Sequence, residues 1–191
     1  MNIVFLGPPG VGKGTQCKRA GKKFQWPHVS TGEILRAAIE SGLPFGQEVS
    51  GYVTSGQLVP DDVVIKIIAL RIQQADCSGG CIFDGFPRTV QQAEMLDDLL
   101  SKHDRKLAAV IQLIASDDLV TQRLLSRAAI EGRSDDSPET IAHRLKVYHS
   151  QTAPLTDFYH RRGILIEVDG AGTPDEVFAQ VIEAINGLNA G

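Results

Sequence analysis

The chain has 191 residues, a formal net charge of −4, 42% hydrophobic residues and 22% charged residues. This composition is typical of one soluble α/β domain, and the acidic balance argues against nucleic acid as a partner. No apolar run is long enough to cross a membrane and no basic segment precedes the first apolar run, so we expect a cytoplasmic protein with neither a signal peptide nor a membrane partner.

Cysteine usage gives no sign of a disulfide or a zinc site. The chain has three cysteines, Cys17, Cys77 and Cys81, and nothing in the sequence indicates an oxidising compartment. A zinc site at Cys77 and Cys81 would need two further ligands close by, and none is evident; the five histidines also lack a convincing metal-binding spacing. We therefore expect reduced, buried thiols and no zinc.

A glycine-rich loop, Gly7–Thr15, follows the apolar run Ile3–Leu6 and opens a helical pattern at Lys13. Between a strand and a helix, such a loop binds phosphate through its backbone N–H groups and the helix N-terminus, and Lys13 adds a positive charge. The general pattern places Ser or Thr directly after the lysine to bind magnesium, but here Gly14 stands there and Thr15 follows. The loop predicts a cradle for a nucleoside triphosphate; the alternative is an ordinary turn with glycines for close packing.

The rest of the chain alternates apolar strands with helical patterns. Strands are expected at 2–6, 27–29, 81–84, 107–115 and 163–169. Helices are expected at 13–24, at 34–55 as two short helices, at 61–75, at 89–101, from 117 onward, at 137–162 with a bend at Pro154, and from 173, with a short polar segment at 128–136. This alternation predicts a three-layer α/β fold around a five-stranded parallel sheet. Residues 30–59 are interpreted as an insertion of small helices.

Three residue pairs have the spacing of a helix capping box, in which two side chains bond each other's backbone N–H groups. They are Ser30 with Glu33, Thr89 with Gln92, and Thr173 with Glu176. The first box would leave the Thr31 hydroxyl free at a helix N-terminus, where an anion could bind.

Polar residues gather where the predicted strands end. Right-handed crossovers bring the C-termini of parallel strands to one edge, which is where α/β sheets bind ligands. The glycine-rich loop, Thr31, Asp84, Gly85 and Asp169 all fall on that edge. Asp84 could act on a ligand there or simply cap a helix.

Cationic side chains are concentrated near the same edge. They are Lys13, Arg36, Arg88, Arg123, Arg127, Arg133 and Arg144. An acidic protein that gathers arginines around one cleft binds a highly anionic ligand, since guanidinium groups make forked contacts to phosphate oxygens. Phosphoryl transfer between two nucleotides needs two phosphate sites, and the sequence offers the loop with Lys13 and a second set with Arg36 and Arg88.

The chain resembles the adenylate kinases, in their short-lid form. The resemblance covers essentially the whole chain and rests on motifs whose order and spacing are highly specific. They are Gly7–Gln16, Ser30–Glu33, Asp84–Arg88, Gly132–Asp136 with Glu139–Ile141 and Arg144–Leu145, and Thr152–Leu155. This family has Gly-Thr after the loop lysine, which accounts for Gly14 and Thr15.

The resemblance implies a donor site for ATP and an acceptor site for AMP. ATP would be bound by Gly10, Val11, Gly12, Lys13, Gly14, Thr15, Arg123, Arg127 and Gly172. AMP would be bound by Thr31, Arg36, Gln57, Leu58, Val59, Gly85, Phe86, Pro87, Arg88, Gln92, Arg133 and Arg144. The catalytic residues would be Lys13, Arg88, Arg123, Arg127, Arg133 and Arg144, and the products two molecules of ADP.

The resemblance also implies a division of the chain and a cofactor. The core would comprise residues 1–29, 60–125 and 137–191, the part that closes over the monophosphate residues 30–59, and a short lid residues 126–136. Apart from the resemblance, Asp135 and Asp136 are interpreted as partners that position arginines in the lid rather than as catalytic bases. Mg²⁺ would accompany ATP, with Thr15 and Asp84 as its protein contacts through water. The family further implies a monomer.

Two other functions stay open at this point. A UMP/CMP kinase would share the scaffold, but pyrimidine-specific relatives tend to have another residue at the position of Gln92, whose amide suits the N1/N6 edge of adenine. Gln92 could also serve only its capping box. A nucleotide-dependent switch or binding module would share the phosphate loop but would not need the second phosphate site.

Overall fold

The structure, a computed structural model, describes residues 1–42, 44–131 and 136–188. Five strands in these ranges form one parallel sheet in the order β2-β3-β1-β4-β5. They are β1 (Asn2–Leu6), β2 (His28–Ser30), β3 (Ile82–Asp84), β4 (Leu107–Ile114) and β5 (Leu165–Asp169). The predicted fold class and the parallel sheet are confirmed.

Nine α-helices lie in the same ranges. They are α1 (Lys13–Phe24), α2 (Thr31–Glu40), α3 (Pro44–Ser55), α4 (Asp61–Ile72), α5 (Val90–Ser101), α6 (Asp117–Glu131), α7 (Pro138–Val147), α8 (Pro154–His160) and α9 (Pro174–Gly187). A 3₁₀ turn follows α4 at Ala75–Cys77. Within the described part of the chain, no helix has the length and apolar character needed to cross a membrane.

The strands β1 and β3 in the middle of the sheet are buried on both faces, as apolar strands require. Ile3 and Phe5 of β1 point to one face, where α1 and α9 pack. Val4 and Leu6 alternate to the other face, where α4, α5 and α8 pack. The resulting three layers hold the strand ends, and the loops that follow them, at one edge.

Side-chain caps fix several helix starts. Thr173 and Glu176 form a full capping box, as predicted. Ser30 accepts from the Glu33 N–H group at 3.3 Å, but the Glu33 carboxylate pairs with Lys18 at 2.6 Å instead of closing the box. The Lys18 hydrogen bond lowers the pKa of Glu33 below its ordinary value, which keeps this carboxylate charged.

Two predicted boundaries need correction. The segment 128–136 was expected to be irregular from its start, but α6 continues to Glu131, since alanine favours helix and no glycine or proline interrupts the chain there. The bend near Pro154 is confirmed and starts earlier: Tyr148–Thr152 is π-helical, with the Ala153 N–H group bonded to the Tyr148 carbonyl at 2.8 Å.

Two residues of the predicted lid, Arg133 and Asp135, lie outside the described residues.

Candidate active site

The glycine-rich loop wraps around a concave space at the start of α1. Gly7, Gly10 and Gly12 have φ angles of 137°, 82° and 103°, a region that side chains disfavour. A Cβ on Gly10 would lie 2.7 Å from Leu124 Cγ and from the Val120 carbonyl oxygen, so α6 packs directly on the loop. The loop therefore has the backbone shape and the helix N-terminus that bind phosphate.

Lys13 folds back over the loop. Its Nζ atom donates to the carbonyl oxygens of Gly7 at 2.6 Å and Pro8 at 2.8 Å. Burial lowers the pKa of Lys13 to about 8; the Asp84 carboxylate opposes this change and the charge of Arg88 adds to it. The ammonium group thus sits in a desolvated place where an anion would stabilise its charged form.

The main cleft has a volume of about 490 Å³ and is lined on one side by the glycine-rich loop. All the residues predicted to bind ATP line it: Gly10, Val11, Gly12, Lys13, Gly14, Thr15, Arg123, Arg127 and Gly172. Asp84 and Pro87 line the same cleft. The structure therefore brings together side chains from α1 and α6 with the loop after β5.

A smaller cavity of about 70 Å³ adjoins the cleft. Its lining contains most of the residues predicted to bind AMP: Thr31, Arg36, Gln57, Leu58, Val59, Gly85, Arg88, Gln92 and Arg144. Three guanidinium groups, those of Arg36, Arg88 and Arg144, line both the cleft and this cavity. Positive charge is therefore concentrated where the two spaces meet.

The Gln92 amide is held from both ends. Gln92 is buried; its Oε1 atom accepts from the Arg88 N–H group at 2.7 Å and its Nε2 atom donates to Asp61 Oδ1 at 2.6 Å. Thr89 accepts from the Gln92 N–H group as predicted. The reciprocal hydrogen bond of that capping box, which was also predicted, is not formed because the Gln92 side-chain amide bonds Arg88 and Asp61 instead. Asp61 was missed: in sequence it is only a carboxylate in the first turn of a helix.

Two predicted acceptor residues, Thr31 and Phe86, have side chains that are engaged within the protein. The Thr31 hydroxyl, expected to be free, donates to the Asp84 carbonyl oxygen at 3.3 Å. Phe86 is completely buried among the apolar side chains of the α4 and α5 layer, so any contact of this residue with a ligand would be made by its backbone. The Phe86–Pro87 peptide is cis.

The arginines of α6 and α7 are oriented by fixed acceptors. Arg127 donates to both carboxylate oxygens of Asp136, at 2.7 and 2.8 Å, and Arg144 donates to Asp136 Oδ1 at 2.8 Å. The Asp136 side chain is fully buried, which confirms the expectation that it positions arginines. Arg123 donates to the carbonyl oxygens of Gly170, Ala171 and Gly172 at 2.7–3.1 Å, so it holds the loop after β5 against α6.

Asp84 places a carboxylate beside the phosphate loop. It ends β3, and its Oδ2 atom lies 3.2 Å from His28 Nε2 and 3.5 Å from the position of a Cβ on Gly14. Burial by itself would raise the pKa of Asp84, but the His28 hydrogen bond and the charge of Lys13 outweigh it and hold the pKa below its ordinary value. An ionised carboxylate beside the loop is the oxygen donor that Mg²⁺ prefers, and the exposed Thr15 lies in the same cleft.

This fold and this site define a class of protein. A phosphate loop at the carboxyl edge of a parallel sheet, a lysine in that loop and arginines shared by two adjoining spaces are the features of a P-loop nucleotide-binding phosphotransferase.

Comparison with known proteins narrows the class. The model of the adenylate kinase family matches residues 5–164. The chain is 46% identical over 183 residues to the adenylate kinase of Leptospira biflexa, covering 96% of this chain and 98% of that protein. It is 46% identical over 187 residues to that of Stenotrophomonas maltophilia (98% and 100%) and over 190 residues to that of Phenylobacterium zucineum (100% and 100%). The chain belongs to the adenylate kinase family.

Proposed function

We propose that this chain transfers the γ-phosphoryl group of ATP reversibly to AMP, giving two molecules of ADP. The observation that carries the proposal is the set of three guanidinium groups lining both the cleft and the adjoining cavity. Transfer between two nucleotides needs cations where the two phosphate chains meet, because negative charge spreads over the moving group in the transition state. Membership of the adenylate kinase family supports the same reaction.

ATP would occupy the main cleft. Its phosphates would bind the N–H groups of the loop, and Lys13 would exchange the carbonyl oxygens of Gly7 and Pro8 for phosphate oxygens. Arg123 and Arg127 lie along the same cleft. Gly172, held through its carbonyl oxygen by Arg123, would present its backbone to the adenine of ATP.

AMP would occupy the smaller cavity. Arg36 and Arg88 would bind its phosphate, and the connector Gln57–Val59 would cover its base. Arg144 reaches the moving group from α7. Gln92 would read the base through the donor and the acceptor of its amide that remain available once Arg88 and Asp61 are bonded.

Adenylate kinases use Mg²⁺ with ATP, and Asp84, with Thr15 nearby, would hold the ion in this chain. When bound, the ion supplies charge neutralisation to the donor phosphates. Asp84 would act as an ionised carboxylate throughout, since its pKa lies below the ordinary value.

Closure would complete the site. We propose that residues 30–59 close over AMP and residues 126–136 over ATP, while 1–29, 60–125 and 137–191 form the core. Closure would exclude water, so that the phosphoryl group passes to AMP and ATP is not hydrolysed. The buried contact of Asp136 with Arg127 and Arg144 would link the lid to the core.

An acceptor panel tests the proposal. The purified protein is incubated with Mg-ATP and, separately, AMP, GMP, CMP, UMP or their deoxy forms, with a no-acceptor control. The proposal predicts rapid ADP formation with adenine acceptors. Preference for CMP or UMP would reassign the substrate, and ATP loss without an acceptor would contradict two-site transfer.

A further inference from the structure

Three potential metal ligands from separate elements meet beneath the phosphate loop. They are Cys17 of α1, His28 of β2 and Asp84 of β3, and one ligand atom from each lies within 4.8 Å of the others. The closest pair is His28 Nε2 and Asp84 Oδ2, at 3.2 Å. This is the group of potential metal ligands found in the described ranges 1–42, 44–131 and 136–188.

The fold explains why these residues meet. His28 lies beside Ile82 and Ser30 beside Asp84 in the parallel pair β2–β3, so side-chain alternation puts His28 and Asp84 on one face of the sheet. Cys17 lies on the buried face of α1, which packs on that face. Cys17 is completely buried, and the other two side chains are each 12% exposed.

We propose that Cys17, His28 and Asp84 form a binding site for a thiophilic divalent cation such as Zn²⁺, and that an ion bound there inhibits the enzyme. Sulfur, imidazole nitrogen and carboxylate oxygen are the ligands zinc takes in proteins, and three of them leave a fourth position for water. Zinc–ligand bonds of about 2.0–2.3 Å place ligand atoms about 3–4 Å apart, so the three side chains need only a modest contraction to bind.

The charges around the cluster select the kind of cation. The positive charge of Lys13 acts on both Cys17 and Asp84 and opposes any cation there. Between the three side chains, an ion that gains strongly from a sulfur bond is favoured over Mg²⁺, which prefers oxygen ligands and would bind on the cleft side of Asp84 together with the donor phosphates. Burial raises the pKa of the Cys17 thiol well above its ordinary value, so the thiol is protonated without metal and releases that proton to solvent as the metal–sulfur bond forms.

We expect inhibition because Asp84 belongs both to this cation site and to the proposed Mg²⁺ site in the cleft. A cation on its carboxylate would withdraw this group from the cleft and add a charge beside Lys13. This second half of the inference rests on the proposed function, whereas cation binding does not.

Cobalt spectroscopy tests the site directly. Co²⁺ is titrated into the purified, nucleotide-free protein, and the thiolate-to-cobalt charge-transfer band in the near ultraviolet is followed. We expect a band that saturates at one Co²⁺ per chain and is removed by Zn²⁺. Cys17→Ala should abolish it and weaken Co²⁺ binding by at least about 100-fold, the upper end of the effect of losing an outer-shell partner.

Matched variants keep this test decisive. Cys77→Ala removes another buried thiol and should leave the band unchanged. His28→Gln should weaken Co²⁺ binding while retaining the thiol, and it serves as the second test if Cys17→Ala fails to fold, as judged by its thermal unfolding. A wild-type protein without a charge-transfer band, or a band that survives in Cys17→Ala, would overturn the site.

Activity measurements test the inhibition separately. Zn²⁺ should inhibit ADP formation by the wild type, a chelator should restore it, and Cys17→Ala should resist Zn²⁺. Unchanged wild-type activity under saturating Zn²⁺, with the cobalt band present, would overturn inhibition alone. If the metal-free protein forms no ADP from ATP and AMP, the proposed function fails, and the cobalt band still decides the site.

Discussion

The Nε2 atom of Gln92 donates a hydrogen bond to Asp61 Oδ1 at 2.6 Å, across the gap between α5 and α4. The Oε1 atom of the same amide accepts from the Arg88 N–H group at 2.7 Å. A primary amide has two donors and two acceptor positions, so one donor and one acceptor remain. Asp61 and the Arg88 backbone together fix which end of the amide is which, and the remaining pair matches N1 and N6 of adenine.

Removing Asp61 should therefore weaken the choice of base. In Asp61→Ala the amide can flip, and a flipped amide matches inosine monophosphate, which presents N1–H and a carbonyl oxygen instead. We expect the ratio of kcat/KM for AMP to that for inosine monophosphate to fall by about tenfold, within the 1–3 kcal/mol that a bidentate amide–adenine pair contributes to discrimination. Steady-state kinetics with both acceptors measures it.

The neighbouring carboxylate provides the control for this experiment. Asp62 shares the first turn of α4 but is exposed and pairs with Lys66 at 3.4 Å. Asp62→Ala should keep the wild-type ratio. Equal ratios for Asp61→Ala and the wild type would show that Asp61 has no part in base choice.

Arg88→Ala should lower kcat strongly, because Arg88 lines both the cleft and the cavity. Loss of one group that stabilises transition-state charge costs about 10²–10³-fold in kcat. Arg88→Lys should recover only part of the lost kcat, since an ammonium group cannot make the paired hydrogen bonds of a guanidinium group. Arg162, which pairs with Asp97 and stacks on Phe158, offers the control, and Arg162→Ala should turn over normally. Near-normal turnover by Arg88→Ala would remove Arg88 from the mechanism.

Asp136→Asn should lower both the free energy of unfolding and kcat. The variant removes the negative charge of a buried carboxylate that both Arg127 and Arg144 contact, and these arginines are about a quarter and a fifth exposed. We expect a loss of about 2–4 kcal/mol, toward the lower end for a broken buried pair, and a fall in Tm of roughly 5–12 °C. Calorimetry and kcat together measure the effect. Asp175→Asn, which alters an exposed partner of Arg19, should leave both unchanged; an unchanged Asp136→Asn would refute the role of this carboxylate.

ATP binding should take up a proton at alkaline pH. Because the pKa of Lys13 is lowered to about 8, part of the free protein carries neutral Lys13 above that pH, and ATP phosphates favour the charged form. ATP affinity should thus fall as the pH rises through about 8. The phosphates themselves contribute little to the proton uptake, since a terminal phosphate loses its last proton at about pH 6.

Calorimetry in buffers of different ionisation enthalpy measures this uptake. Uptake should be present well above pH 8, absent well below it, and retained in Lys18→Ala, which alters an exposed lysine. Absence of uptake at both pH values would contradict the assigned state of Lys13.

The sequence was most informative where function depends on local geometry. The loop Gly7–Thr15, the strand-ending Asp84 and the caps at Ser30, Thr89 and Thr173 were predicted because each depends on residues a few positions apart. The fold class followed from the alternation of strands and helices. These predictions need no knowledge of contacts between distant segments.

The errors share a different cause. Thr31 was expected to be free because its partner, the Asp84 carbonyl, is 53 residues away. The capping box of Thr89 and Gln92 was expected to be reciprocal because Asp61, which bonds the Gln92 amide, is 31 residues away. The proximity of His28 to Cys17 and Asp84 was likewise not predictable, since the three residues come from different elements. Spacing along the chain does not reveal such pairs; the packing of β2, β3 and α1 does.

The fate of a labelled phosphoryl group tests the central claim most directly. The protein is given ATP labelled in its γ-phosphate together with unlabelled AMP and Mg²⁺, and the products are separated before equilibrium. Direct transfer between two adjoining sites predicts the label in the β-phosphate of newly formed ADP, two ADP for each ATP consumed and no labelled inorganic phosphate above the enzyme-free control. Label released as inorganic phosphate, or retained on the protein, would contradict it.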